Sequence, residues 1–332
     1  MVLQAIDELR HTTSDDPLWR ESLYWNFNDV ERRLGAWIYL WVLPGQAMPS
    51  GIIVSFYRGG WPDSAIYTKA MAAPGHRLQQ GDSWIYCFQK NGTQLPAGDF
   101  DDIEIHGLRL RRLDPLSRYA LSFDDGAGNA FEFESRFLTP PFDYADGYNA
   151  VPPWLSTNRY HRSHLISGEL RIAGERLRID ASGDSDHSWG TRDWSIMGKN
   201  LFKMWSFQTA DGTLAASLID QGTSEGSVAL GYTSVGGKMA SARVVKSSAR
   251  YDVNGVQSQI EMIVEDDCGR VLRVTCGALH SYIGWRVGAQ GEFWGYEGVG
   301  TFHIEGVGDV PGATSYFWPS WVTPAALHSG LY

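Results

Sequence analysis

Twelve consecutive residues, Gly183-Asp184-Ser185-Asp186-His187-Ser188-Trp189-Gly190-Thr191-Arg192-Asp193-Trp194, gather charges of both signs, a histidine, two indoles and two glycines. In extended backbone, alternate side chains point to opposite faces, so His187 and Trp189 share one face and Asp186 and Ser188 the other. An acid/base group then stands beside a large π-face, with a carboxylate next door on the chain, which is the equipment of proton-transfer chemistry. Gly190 permits a bend or bulge that aims Arg192, Asp193 and Trp194 back toward the same place as structural support. The same residue types also serve structure alone, because a histidine among carboxylates can be a satisfied hydrogen-bond hub and an Arg-Asp pair can tie down a loop.

A second carboxylate comes from Leu214-Ala215-Ala216-Ser217-Leu218-Ile219-Asp220, where Leu214, Ala216, Leu218 and Asp220 share one strand face. If that face lines a cavity, desolvation raises the pKa of Asp220 and keeps an acid protonated near neutral pH; at the strand's exit the carboxylate would simply serve the following turn. Trp205 and Phe207 share a face of the preceding strand and would wall the same cavity or fill a core. Other constellations carry less. Gly222-Thr223-Ser224-Glu225-Gly226 has the spacing of a nucleophile elbow but is followed by strand rather than helix. His161 and His164, three apart on a strand, point to opposite faces, and no spacing of His, Cys and Glu indicates a metal site. The glycines of residues 295–300 lack the strand-turn-helix setting of a nucleotide fold, so neither metal nor nucleotide cofactor is expected.

These strands have a clear setting. Runs at residues 35–43, 52–57, 83–89, 102–113, 119–123 and 130–137 form one series, and runs from 164 to 305 form another, with turn signals such as Asp125-Gly126, Asp211-Gly212 and Asn254-Gly255 between them. Helical periodicity is confined to the first dozen residues. An all-β chain of two antiparallel barrel or sandwich domains follows. The expected division is a short helix within residues 1–20, an N-terminal domain over 21–138, a proline-bracketed linker over 139–160 and a C-terminal domain over 161–332 that carries the motif.

Composition narrows the partners. The 332 residues have a net charge of -10, which disfavours nucleic acid and anionic membrane surfaces. No apolar run is long enough for a membrane span, and Asp7, Glu8 and Arg10 in the first turns argue against a signal peptide. The three cysteines, Cys87, Cys268 and Cys276, leave at least one unpaired, and a reduced cytoplasmic setting is the simplest expectation.

Asp186-His187-Ser188-Trp189-Gly190-Thr191-Arg192-Asp193-Trp194 resembles the signature of the carotenoid 1,2-hydratase (hydroxyneurosporene synthase)/AttH-like family of paired lipocalin-type domains. Pro17-Leu18-Trp19-Arg20-Glu21-Ser22-Leu23-Tyr24-Trp25-Asn26-Phe27 and Gly295-Tyr296-Glu297-Gly298-Val299-Gly300 are similar to members as well, so the anchors cover nearly the whole chain. The resemblance implies two lipocalin-like domains. In the family's hydratases the motif histidine and tryptophan are implicated in catalysis with a tyrosine and an aspartate further along. His187 and Trp189 carry over directly, and Asp220 stands for the aspartate. Leu218 occupies the tyrosine's position, leaving Tyr232, Tyr282 or Tyr296 as substitutes.

The expectation is a cofactor-independent enzyme of lyase or isomerase type. It would protonate a C=C bond of an isoprenoid or polyene with Asp220 or Asp186, with His187 orienting the acid or serving as base and Trp189 facing the carbocation. Hydration, terpene-cyclase-like ring closure or isomerisation would follow. Trp205, Phe207, Leu218, Tyr232 and Tyr296 would line the substrate. The alternatives are a non-catalytic isoprenoid carrier and a pericyclase-like pocket of the kind known from fungal relatives. Fold alone does not choose among these.

Overall fold

The computed structural model describes residues 3–43, 50–62, 77–90, 99–149, 151–152, 155–193, 201–223, 226–287 and 293–330. In chain order the strands are β1 (Trp19–Asp29), β2 (Leu34–Val42), β3 (Ser50–Arg58), β4 (Gly60–Trp61), β5 (Arg77–Gln80), β6 (Ser83–Lys90), β7 (Asp102–Ile105), β8 (Leu108–Asp114), β9 (Arg118–Asp124), β10 (Ala130–Phe137), β11 (Phe142–Asp143), β12 (Asn158–Ile172), β13 (Glu175–Thr191), β14 (Leu201–Gln208), β15 (Leu214–Thr223), β16 (Gly226–Val235), β17 (Lys238–Tyr251), β18 (Gln257–Asp266), β19 (Val271–Cys276), β20 (Ser281–Val287), β21 (Phe293–Ile304) and β22 (Gly308–Pro319). Helix is limited to short pieces among the described residues, a 3-10 turn at Ala5–Glu8, another at Tyr144–Asp146 and the α-helix Pro324–His328. The all-β expectation holds.

The first sheet runs β5-β6-β3-β2-β1-β13-β12-β10-β9-β8-β7, with β11 on β12, and curls into a half-barrel. The second runs β19-β18-β17-β16-β15-β14-β22-β21-β20-β4, and pairing of β19 with β21 closes eight of its strands into a barrel. Sheet membership therefore changes between Thr191 and Leu201 rather than over residues 139–160. The motif strand β13 and its hairpin partner β12 lie between β1 and β10, at the centre of the first sheet, although they were expected in the C-terminal domain. Alternation reveals which residues share a face, but not which strand is the ladder neighbour. The expected linker is itself packed: Phe142, Tyr144 and Leu155 are buried against Phe202 and Leu230 of the second sheet.

Strand β2 shows why both faces of the first sheet are apolar. Leu34, Ala36, Ile38, Leu40 and Val42 enter the concave core with Leu23, Trp25 and Phe27 of β1. Trp37, Tyr39 and Trp41 point the other way, to the face that meets the second barrel. The sheets thus form three layers of side chains: a core inside the half-barrel, a core inside the closed barrel with Trp205, Phe207, Leu218, Tyr296 and Phe302, and a seam between them with Trp285, Ile283 and Phe317. Each large aromatic removed from water contributes on the order of 1.5–3 kcal/mol, so the seam is a substantial interface.

Candidate active site

Strands β1, β12 and β13 carry a polar cluster on each face. The concave face holds His187. Its neighbours are fixed by register: β1 sets Leu23 opposite His187 and Glu21 opposite Trp189, while β12 sets Tyr160 opposite His187. His187 Nε2 lies 2.8 Å from Glu21 Oε1, its Nδ1 lies 3.2 Å from the Tyr160 hydroxyl, and the Phe100 ring meets it edge-on. His11, from the N-terminal segment, brings Nδ1 to 2.7 Å from the same Glu21 oxygen and stacks on Trp189 at 3.8 Å. Burial lowers the His187 pKa despite the neighbouring carboxylate. For Glu21, burial pushes upward, but hydrogen bonds from His11 and His187 outweigh it and hold the carboxyl below its ordinary value. His187 is 0% exposed.

The opposite face looks into the seam. Asp186 accepts from Arg159 Nη2 at 2.8 Å, and the same guanidinium reaches His161 Nε2. Guanidinium has no acceptor, so His161 Nε2 accepts that hydrogen bond and the ring's N–H lies on Nδ1. That Nδ1–H faces Ser217 Oγ at 2.9 Å and Asp184 at 3.3 Å. Across the seam, Glu297 of β21 is buried and accepts from Ser315 Oγ at 2.7 Å. Burial lifts its pKa to about 8, with Asp184 adding repulsion against the Ser315 bond. Asp186 moves the other way: burial would raise it, but Arg159, with His161 and Arg192 beyond, holds it below the carboxylate range. The hydroxyls of Tyr24 and Tyr57 are pushed well up by burial and by Glu297.

Two glycines make this geometry possible. A Cβ on Gly183 would meet the Asn26 carbonyl at 2.1 Å, so only glycine lets β13 lie this close to β1. Gly190 has φ +105, and a Cβ there would strike Thr157. Beyond it Arg192 N bonds the Leu18 carbonyl, and the half-buried guanidinium comes under the influence of Tyr39 and Asp186, with burial and nearby arginines lowering its pKa to about 10. Asp193 is half-buried. Trp194 and Ser224 lie outside the described residues.

The structure separates the residues expected to converge. His187 and Trp189 do share a face, and Asp186 and Ser188 the other. Asp220 does share a face with Leu214, Ala216 and Leu218, but that face is the interior of the closed barrel, where Asp220 accepts from Ser247 Oγ at 3.1 Å opposite Lys203. It therefore opens to a different interior from His187. Trp205, Phe207, Leu218 and Tyr296 pack that barrel core, and the Tyr296 hydroxyl bonds the Asn254 carbonyl. Of the expected substrate residues, Tyr232 alone reaches the seam, with its hydroxyl 2.9 Å from Ser163 Oγ. Asp220→Asn is accordingly expected to leave any turnover in the seam within about twofold of wild type, whereas loss of a general acid removes about 10²–10⁴. A steady-state comparison of purified proteins checks this.

Glu21, His11, Arg159, His161 and Glu297 were not among the expected site residues. Arg159 and His161 were legible in principle as an i,i+2 pair facing one way. Glu21 is brought in by a pairing across more than a hundred residues, and Glu297, whose ladder partner Ser315 is close in sequence, reaches the site only through packing of one sheet on the other, neither of which local pattern carries.

Two sheets of antiparallel strands, one curled and one closed, with a polar seam between them, define a lipocalin-like double-barrel protein. The chain belongs to the family described as Domain of unknown function (DUF7064), which matches residues 4–314. No curated protein sequence matches it. Among solved structures, kievitone hydratase from Nectria haematococca is similar at TM-score 0.57 and 10% identity, over 96% of this chain and 93% of that one. CghA is similar at TM-score 0.53 and 13% identity, over 90% and 88%. The AttH candidate NE1406 from Nitrosomonas europaea is similar at 0.52 and 14%, over 92% of each. The fold expected from the motif resemblance is the fold these proteins share. Among the described residues, no helix is long and apolar enough to cross a membrane.

Proposed function

We propose that the seam between the sheets is the active site of an acid–base enzyme of lyase or isomerase type acting on a hydrophobic, isoprenoid or polyene molecule. One observation carries the reading: two buried carboxyls on facing surfaces, Glu297 and Asp186, are displaced in opposite directions, one toward the protonated acid and the other toward the anion. Titratable groups driven apart by their surroundings are the mark of assigned acid and base roles. The Glu297 carboxylic acid donates its proton to one alkene carbon, the π pair becomes the new C–H bond, and the positive charge falls on the more substituted carbon.

Aromatic faces meet that charge. Register sets Ile283 opposite Glu297 and Trp285 opposite Gly295, so Trp285 lies two residues along the same face from the acid. Its ring is 5.5 Å from Trp37, and Tyr24 is in edge contact with both Trp37 and Tyr39. Cation–π attraction strengthens where water is excluded. Water captures the cation in a hydratase and passes its extra proton to the Asp186 carboxylate; in a cyclase a second alkene captures it and the new ring cation loses a proton to the same base; direct proton loss to that base gives an isomer. The fold neighbour named as a hydratase supports the first outcome.

The roles of His187 and Trp189 become positional: they hold the inner side of β13 while Asp184 and Asp186 work on its outer side. The test is incubation with acyclic isoprenoid alkenes such as squalene or lycopene in deuterated water. Product with one deuterium on a formerly olefinic carbon is expected. Stoichiometric binding of these molecules with recovery of unchanged, unlabelled ligand would replace the enzyme reading with the carrier.

A further inference from the structure

We propose that His11, Glu21 and His187 form a binding site for a divalent first-row transition metal ion, on the concave face of the half-barrel and away from the seam. His11 Nδ1 and His187 Nε2 approach Glu21 Oε1 to 2.7 and 2.8 Å, and the three ligand atoms lie within 4.8 Å of one another. Two imidazoles and one carboxylate suit zinc, iron(II) and their neighbours, whereas magnesium and calcium take oxygen ligands.

The arrangement differs from a plain hydrogen-bond hub in one respect. Both ring nitrogens approach a single carboxylate oxygen, Oε1, and the His11 main-chain N–H is shared between Oε1 and Oε2 at 3.3 and 3.2 Å. A hub that only needed to satisfy two imidazoles would distribute them over the two oxygens. Two ring nitrogens and a carboxylate oxygen within 4.8 Å of one another can close on a common cation.

The surrounding groups hold the rings for ligation. The Tyr160 hydroxyl lies 3.2 Å from His187 Nδ1, which leaves Nε2 for the metal. Trp189 stacks on His11 at 3.8 Å with only 6° between planes, fixing that ring's orientation. Such outer partners orient the ligands of known metal sites. Glu21 and His187 are about 1% exposed, while the His11 side chain is 20% exposed, so an ion has a way in beside the N-terminal segment. Motif spacing does not reveal this site because the ligands are 10 and 166 residues apart; the proposal reverses the expectation that no metal is bound. It is independent of the reaction assigned to the seam.

The full chain, dialysed against EDTA, is titrated with Zn²⁺ by calorimetry and with Co²⁺ by visible absorption. Wild type is expected to take up one equivalent of each, with cobalt d–d bands of imidazole ligation and quenching of tryptophan fluorescence next to His11. Loss of an outer partner alone weakens metal sites about 10–100-fold, so His11→Ala and Glu21→Gln are expected to weaken binding by at least that much. Asp220→Asn should bind as wild type does. If Glu21→Gln fails to fold, His11→Ala on the partly exposed segment decides alone. Absence of one-equivalent binding in wild type, or equal binding in His11→Ala, overturns the proposal.

Discussion

Replacing Glu297 with glutamine is expected to abolish turnover and to stabilise the protein at alkaline pH. The amide keeps the acceptor for Ser315 Oγ and the shape of the side chain but has no acidic proton, so about 10²–10⁴ of the rate should go. The stability effect follows from linkage. The Glu297 carboxyl has its pKa raised by burial from 4.5 in the unfolded chain to about 8 in the fold, so the folded state binds the extra proton between those values. Its contribution to stability is fully present below 4.5 and is lost progressively as pH rises through about 8. At about 1.4 kcal/mol per pKa unit the full penalty is on the order of several kcal/mol, which glutamine escapes. Urea melts at about pH 6 and about pH 9 should show the advantage of Glu297→Gln growing with pH. The pH–rate profile of wild type should fall on the alkaline side around 8, as the acid ionises.

The second large effect belongs to the N-terminal turn. Glu8 is fully buried: its Oε1 accepts from Arg162 Nη1 at 2.7 Å, and its Oε2 accepts the Leu116 N–H at 2.7 Å and an Arg112 contact at 3.4 Å. Arg162 is buried to the same degree, with its guanidinium 3.5 Å from the Phe137 ring centroid. Removing one partner of a buried ion pair leaves the other charge uncompensated and costs about 3–5 kcal/mol, whereas replacing both with apolar groups is often close to neutral. Glu8→Ala should therefore lower the unfolding free energy by about that amount, and Glu8→Ala/Arg162→Met should recover most of it. A Glu8→Ala loss below about 1 kcal/mol in urea titration would show that the turn is not held by this pair.

Alternation was the most informative signal in the sequence. It separated His187 and Trp189 from Asp186 and Ser188, and it set Asp220 with Leu214, Ala216 and Leu218, because a strand's side-chain period leaves no other choice. The strand runs and their turns were enough for the all-β class. What alternation could not supply was the identity of the surface each face meets. Asp220 faces a barrel interior distinct from that of His187, and β12 and β13 pair with β1 and β10 rather than with the strands that follow them. Glu297 stood inside a stretch that carried the family resemblance, yet its acidity depends on burial of β21 against β1 and β2, a property of sheet packing and not of neighbouring residues. The same holds for Glu21, whose two histidine partners arrive from either side in sequence.

The central claim, a neutral carboxylic acid held in the seam, can be observed directly by infrared difference spectroscopy during a pH titration. The protonated-carboxyl C=O stretch should persist at neutral pH, disappear with a midpoint of about 8 and be missing from Glu297→Gln. If wild type has no protonated carboxyl band at about pH 7, or if the band is unchanged in Glu297→Gln, Glu297 is not the acid and the proposed chemistry of the seam fails.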